Sequence, residues 1–478
     1  MGHEPDDESN PQTLFPESDL DRGIVGWESQ DDPQNPRNFP TTRKWTTMSL
    51  LSCLTILNFL ATSIVAPAAS SIDLDLDNES SILSSFITTI FTLGYMVGLL
   101  VLCPLSEIYG RRPILHSANT FFTVTNIGAA LAQNMAQLLA FRFLSGMGAS
   151  VGLGIGSGLI ADLFDIHERG VANAVLTLAS VLGPVLGPLL GGIITERAHW
   201  RWIFWTLLIA CATVLALMAL IIRETNATVI ILHKTRRLQK ELGRQDLESA
   251  YTVLIRGVIR PWKMLFRSPL LALFSLMAGL LSGLLYILLT TASSFFQQVY
   301  GWSLEASGLA YLGLGTGSLV GLVLFAKTSD LITVRLTRKH NGVYAPEMRM
   351  LTAFLPAVFI PVTFFWYGWS TQARTHWIVP LLSLAPFGFS QIGINATIQA
   401  YWIDASGPYA ASSMACVTAV RCLGGSLLPL AGPSLYARLD LGWGNSLLGF
   451  VSLVMVPFTL GVYKYGDTLR KMYPLYND

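Results

Sequence analysis

Charge is scarce in this 478-residue sequence: Asp, Glu, Lys and Arg together make up 13% of it, about half the share of an ordinary soluble domain. A soluble chain of this length would need charged surfaces for two or three domains, and these residues cannot supply them. The few charges nearly cancel, leaving a formal net charge of +1, so there is no basic field to attract nucleic acid. Cysteine is sparse as well. Cys53, Cys103, Cys211, Cys416 and Cys422 all lie inside apolar blocks, and no spacing matches a metal site or a disulfide framework. Packing as small hydrophobes accounts for them, and no cofactor is implied. The opening residues, MGHEPDDESN, lack the basic-then-apolar form of a cleaved signal. A membrane enzyme would need His, Asp or Ser converging within the apolar blocks, and a channel would need a pore loop or a repeated oligomeric span; neither is visible. No Asp or Glu stands in the middle of any apolar block, which removes the usual membrane-embedded proton carrier.

What the sequence does have is hydrophobic length. Apolar residues reach 52% and come in blocks of roughly twenty, enough to cross about 30 Å of hydrocarbon at about 1.5 Å per residue. Bounding the blocks by charges, Gly-Pro signals and Trp or Tyr anchors predicts spans over 45–67, 82–103, 113–133, 138–161, 171–194 and 201–223, then 270–296, 306–327, 350–369, 376–396, 409–437 and 443–466. The fold class is therefore an all-α membrane protein of twelve spans. Around them the pattern predicts a disordered cytosolic tail over 1–44, a six-helix bundle over 45–223, a cytosolic connector over 224–269, a second bundle over 270–466 and a short tail over 467–478. A monomer in the lipid bilayer is expected.

Loop charge sets the expected orientation. The first loop holds Asp73, Asp75, Asp77 and Glu79 and no basic residue, whereas alternate loops carry Arg111, Arg112, Arg169, the basic connector and Arg335 to Arg349. Both termini are expected in the cytosol and the protein in the plasma membrane. On the outer side, Asn78-Glu79-Ser80 is a glycosylation sequon.

The halves repeat one another. GLLVLCPLSEIYGRR from Gly98 matches GLVLFAKTSDLITVR from Gly321, placing Glu107 over Asp330 and Arg112 over Arg335. The interval from Asp162 to Gly183 recurs from Asp404 to Gly425, and Trp200 and Trp443 follow at similar offsets. Two like halves around a connector predict an alternating-access carrier with its substrate site between them.

Three ordered motifs now carry a family resemblance. CPLSEIYGRRPIL at 103–115 resembles the loop 2–3 signature of the major facilitator superfamily, RFLSG from Arg142 its fourth-span motif, and GPVLGPLLGG from Gly183 its fifth-span antiporter motif. WESQDDPQNPRNFPTTRKW before span 1 and YWIDASGPYAASSMA before span 11 are similar to the fungal twelve-span drug:proton antiporter group. The resemblance implies efflux of small organic compounds in exchange for protons, with a uniporter or proton-coupled importer as the alternative on the same fold.

The resemblance also implies a cytosolic latch of Glu107, Gly110, Arg111, Arg112 and Asp162. Glu107 and Arg111 are four apart and can approach on a helix, and a carboxylate there would face the positive start of span 3. Arg112 suits topology. Where the family usually has Gly, this chain has Cys103, at a place expected to pack span 2 against span 11. Arg142 lies inside an apolar block, as a coupling candidate or a side chain snorkelling to the outer interface. Gly183, Gly187 and Gly191 share a helical face, with Pro188 bending the axis and Gly192 beside it, as expected of a sealing helix. Candidate cavity residues are Asn58 in span 1, Tyr286 in span 7, Arg421 deep in span 11, and the span-10 stripe Gln391, Asn395 and Gln399. The stripe is either substrate contact or helix glue, and Arg421 either binds substrate or pairs with helix carbonyls.

Overall fold

The computed structural model describes residues 27–29, 31–165, 168–242, 264–339, 344–406 and 410–473. It is all-helical. The spans of the first half are α1 Thr41–Ser63, α2 Ser81–Tyr109, α3 Arg111–Ala130, α4 Met135–Leu163, α5 Arg169–Arg197 and α6 Arg201–Ile221. Those of the second half are α7 Pro269–Tyr300, α8 Leu312–Lys339, α9 Phe354–Gln372, α10 Ala385–Ser406, α11 Ala410–Leu427 and α12 Met455–Met472. Between α11 and α12 runs a helix over Gly432–Ser452, broken at Asp440 (φ 56°), so its first part extends α11 and its second begins α12.

Among the described residues, ten stretches are long and apolar enough to cross a membrane: nine hold one span each, and Ser412–Met472 holds two. The twelfth span, α3, falls short because Ser117, Asn119, Thr120, Thr123, Thr125 and Asn126 dilute it. Several of these polar side chains find partners within the bundle. Asn119 and Asn126 return hydrogen bonds to the carbonyls of Leu115 and Phe122, and Ser145 of α4 donates to Thr125 at 2.9 Å. A polar group bonded within the bundle escapes most of the cost of hydrocarbon burial.

The sequence repeat reappears as a repeat of packing. In the first half α1 packs on α5, α2 on α4, and α3 on α6; in the second, α7 packs on α11, α8 on α10, and α9 on the helix leading into α12. Contacts between halves repeat too, α2 against α11 and α5 against α8. Cys422 of α11 joins the core of the first half at the first of these seams. Large apolar side chains such as Val124, Ile209, Leu220, Val323 and Phe450 remain exposed, as lipid-facing positions should.

The two tails differ from the sequence reading, while the helix-like charge pattern of the connector is met by a helix. Within the expected 1–44 tail, residues 1–26 lie outside the described ones, but Trp27 (2% exposed), Pro36 and Phe39 are buried. Asp32 organises that segment: its carboxylate accepts the amides of Glu28 and Gln34, and Asn38 donates to its carbonyl. Polar composition suggested disorder, but here the polar groups bond one another and Phe39 enters the core. In the connector, Ala227–Leu242 is helical and residues 243–263 lie outside the described ones. The final helix reaches Met472, inside the expected 467–478 tail.

Candidate transport site and gates

On the basic face, the chain breaks between α2 and α3 at Gly110, whose φ of 102° suits glycine. This break also overturns the expected Glu107–Arg111 pair. An i, i+4 contact needs one continuous helix, and the Glu107 side chain is left exposed with no hydrogen bond or ion pair among the described residues. The Arg111 guanidinium instead donates to Ser106 Oγ at 2.8 Å and to Asp162 at 3.4 Å, seated over Gly158 of α4.

The carboxylate at the start of α3 belongs to Glu224, which the motif reading missed. It accepts the main-chain amides of Arg111 (2.8 Å), Arg112 (3.1 Å), Thr225 (3.0 Å) and Asn226 (3.0 Å). Four amides around one carboxylate at a helix N-terminus make a strong anion seat. Its only trace in the sequence is an acid directly after the apolar run of α6. Arg112 is exposed and reaches the carbonyl of Ala219 at 3.4 Å. Cys103 Sγ lies beside Gly154 of α4, within its own half, while α2 packs on α11 as expected.

The second half answers with different partners. Asp404, the counterpart of Asp162, pairs with Arg349 at 2.5 Å and with the Tyr344 hydroxyl, leaving Arg335 exposed. Glu347, 4% exposed, accepts from Tyr401 at 3.3 Å and lies 3.3 Å from Arg470.

The opposite, acidic face joins the halves. Arg197 at the end of α5 donates to both carboxylate oxygens of Glu305, at 2.9 and 3.1 Å from Nη2, and Glu196 accepts the Glu305 amide at 2.6 Å. Below them the Gly-Pro face of α5 packs with almost no clearance. A methyl on Gly191 would fall 1.8 Å from the Ile64 carbonyl oxygen, on Gly187 2.3 Å from Ser63 Oγ, and on Gly183 2.4 Å from Phe59 Cβ. Gly192 turns to the second half, against Leu304, and Gly308 rests on Pro188 and Leu189. Nearby, Asp75 binds Arg201 at 2.5 Å and Trp200 at 3.1 Å. The Arg201 hydrogen bond holds its carboxyl below the usual carboxylate value. In the same loop Asn78 gives its amide to Asp73 and to the Ser80 carbonyl, so the nitrogen that glycosylation would modify is engaged.

Between the faces, Arg142 is 1% exposed, which rules out snorkelling. Its guanidinium donates to the carbonyls of Ile87 (3.1 Å), Ala61 (2.7 Å) and Thr62 (3.4 Å) and lies over the Phe91 ring. Ala61 and Thr62 end α1, so a cation caps the negative end of that helix. Asn58, expected in a cavity, is 1% exposed and bonds the Ala149 carbonyl of α4 at 2.9 Å, which makes it a helix contact. Tyr286 of α7 points its hydroxyl toward Thr62 and Thr92 of the first half. Asn395 bonds back to the Gln391 carbonyl at 2.9 Å, and Gln399 is exposed. Among the described residues Gln391 and Gln399 bond no neighbouring helix, so the stripe is not glue in this conformation.

Comparison with known proteins places this arrangement. The model of the Major Facilitator Superfamily matches residues 51–429. MFS transporter cpaT of Aspergillus oryzae is 40% identical over 476 residues, covering 98% of this chain and 95% of that one. MFS transporter prlG of a fungal species is 42% identical over 461 residues, covering 94% and 97%, and efflux pump radE of Floropilus chiversii is 37% identical over 462 residues, covering 95% and 86%. In fold, the chain is similar to the xylose transporter XylE from E. coli in a partially occluded inward-open conformation, with a TM-score of 0.67 at 16% identity, covering 89% of this chain and 98% of that one.

Proposed function

Because the chain belongs to the major facilitator superfamily, and is thus a multi-pass membrane transporter rather than an enzyme, we propose that it exports small organic compounds in exchange for protons. The positive-inside rule puts the basic face in the cytosol and the acidic face outside, and the plasma membrane is the proposed location. The conformation described, joined at the acidic face, is then the one open toward the cytosol.

The observation that carries the export reading is the packing of α5. Its three aligned glycines lie on α1 and Gly192 lies on the start of the α8 span, so this helix closes the outer route from both halves. Fungal relatives include one named as an efflux pump. In this reading Arg111, Asp162, Ser106 and Glu224 form a rigid corner on which the second half closes when the carrier faces outward, with Gly110 making the turn and Arg112 setting topology. Arg142 couples α1, α2 and α4 through its carbonyl cage. Tyr286, Arg421 and the Gln391–Asn395–Gln399 stripe contact substrate.

The test is dye retention in drug-sensitive yeast expressing the chain. Lower retention, restored by a protonophore, is expected. Unchanged retention across a broad panel, together with faster substrate uptake, overturns export in favour of import.

A further inference from the structure

The middle of this carrier holds hydrogen-bond donors without acceptors. Arg421 lies in the middle of α11 and is half-buried. Near it lie the hydroxyls of Tyr95 and Tyr286 and the thiol of Cys422. Among the described residues its guanidinium has no hydrogen-bond or ion-pair partner. Arg142 is different, because the carbonyls of Ala61, Thr62 and Ile87 occupy it. Of the two arginines away from the span ends, Arg142 and Arg421, Arg421 is thus the uncommitted one, and an intramembrane arginine is too expensive to keep idle.

Its surroundings point the same way. Tyr95 Oη is buried with no hydrogen-bond partner, and so is Thr92 Oγ1, which lies near Tyr286 but outside bonding geometry. The Tyr286 ring rests on Gly425, one turn beyond Arg421 on the same face of α11. Three helices, α2, α7 and α11, therefore present hydroxyl or guanidinium groups to one place. Phe59 packs against Tyr95 at 6.0 Å between ring centres and adds an apolar wall. The acids Glu107, Asp162, Glu196, Glu347, Asp404 and Asp467 stand at or near helix ends, and Asp330 lies in α8 nine residues before Lys339, toward the basic face. A lipophilic cation bound here would face a like charge with no counter-ion at low dielectric. An oxygen anion would satisfy the guanidinium with short, charge-assisted bonds.

We propose that Arg421 anchors the substrate, and that the substrate class is the conjugate base of a weak organic acid: an apolar body carrying a carboxylate, enolate or phenolate. This rests on the export reading and deepens it. It also accounts for the lack of a mid-membrane carboxylate. An anion leaving a negative cytosol moves with the membrane potential, and 100 mV supports about a fiftyfold concentration ratio. Proton uptake would add to that drive without being required for it.

The experiment uses the full chain, in yeast and purified in lipid nanodiscs, with carboxyfluorescein as the anionic probe and rhodamine 6G as the cationic one. Wild-type protein is expected to bind and extrude carboxyfluorescein in preference. Arg421→Gln should weaken both by about tenfold or more, the loss of a charge-assisted bond, at equal membrane abundance. Arg421→Lys should keep part of each. Preference for rhodamine 6G, or wild-type carboxyfluorescein binding by Arg421→Gln, overturns the proposal. Carboxyfluorescein binding that depends on Arg421 without extrusion overturns the export reading and leaves the anion site standing. Binding of neither probe overturns the anion site.

Discussion

The Glu224 carboxylate holds the amides of both Arg111 and Arg112, so the residue that follows α6 caps α3. Glu224→Gln keeps the shape and loses the charge, at a cost of about 0.5–1 kcal/mol for a carboxylate at a helix N-terminus. Glu224→Ala strands the amides and should cost about 1–3 kcal/mol. Melting of the purified proteins should rank wild type, Gln and Ala in that order. Equal melting points would show that the cap does not contribute.

Gly110 should tolerate no side chain. Alanine there would adopt an unfavourable positive φ and place its methyl 2.4 Å from Glu224 Oε2. A loss of about 1–3 kcal/mol in stability is expected, along with transport. Pairing Gly110→Ala with Glu224→Ala should relieve the steric part, so the double variant should melt above the sum of the two losses.

Arg142 should be replaceable only poorly by lysine. The guanidinium reaches three carbonyls on two helices, and a lysine ammonium cannot match that planar fork. Arg142→Lys should keep folding with reduced transport, and Arg142→Gln should lose about 2–3 kcal/mol, the value of a charge-assisted bond. If Arg142→Gln melts and transports like wild type, the carbonyl cage has no role.

The Arg197 side chain is 69% exposed and that of Glu305 37%, so breaking this solvent-screened pair should hardly affect melting. Its effect should appear in conformation. Cysteines at both positions, oxidised, should stop transport, and a reductant should restore it. Full transport in the cross-linked state would mean that the acidic face does not open.

Asp75 gives a pH prediction. Its folded carboxyl lies below the ordinary carboxylate value because of Arg201, so its contribution is present above the unfolded value, about 3.9, and is lost as pH falls through the lower folded one. His199 lies 3.9 Å from the same carboxylate and can only favour its ionised form. The melting difference between wild type and Asp75→Asn should therefore not shrink from pH 7 to 5 and should fall only below about pH 4. A difference that already collapses between pH 7 and 6 would exclude this pairing.

Spans and halves were legible because hydrocarbon imposes length on a sequence and duplication keeps its spacing. The repeated packing of α1 on α5 and α7 on α11 followed from that. Side-chain partners were less legible. The Glu107–Arg111 spacing assumed an unbroken helix, and one glycine with positive φ separated the two. Nothing local in the sequence marks Glu224 or Glu347, because their partners come from distant segments: α3 for Glu224, and Tyr401 and Arg470 for Glu347. The glycine face of α5 was readable from its spacing, but only the fold shows that α1 fills it.

The hydrogen bonds described between the halves, those of Glu305 with Arg197 and Glu196, are in contact with water. Of the buried polar ties, Arg142 to its carbonyls and Asn58 to Ala149 stay within one half, and the approach of the Tyr286 hydroxyl to Thr62 and Thr92, which does cross, carries no charge. Parting the acidic face therefore strands no desolvated charge, and water can take over each broken bond. The polar part of the seam is thus cheap to open while buried polar ties hold each half together, which is what rocking of one half against the other requires.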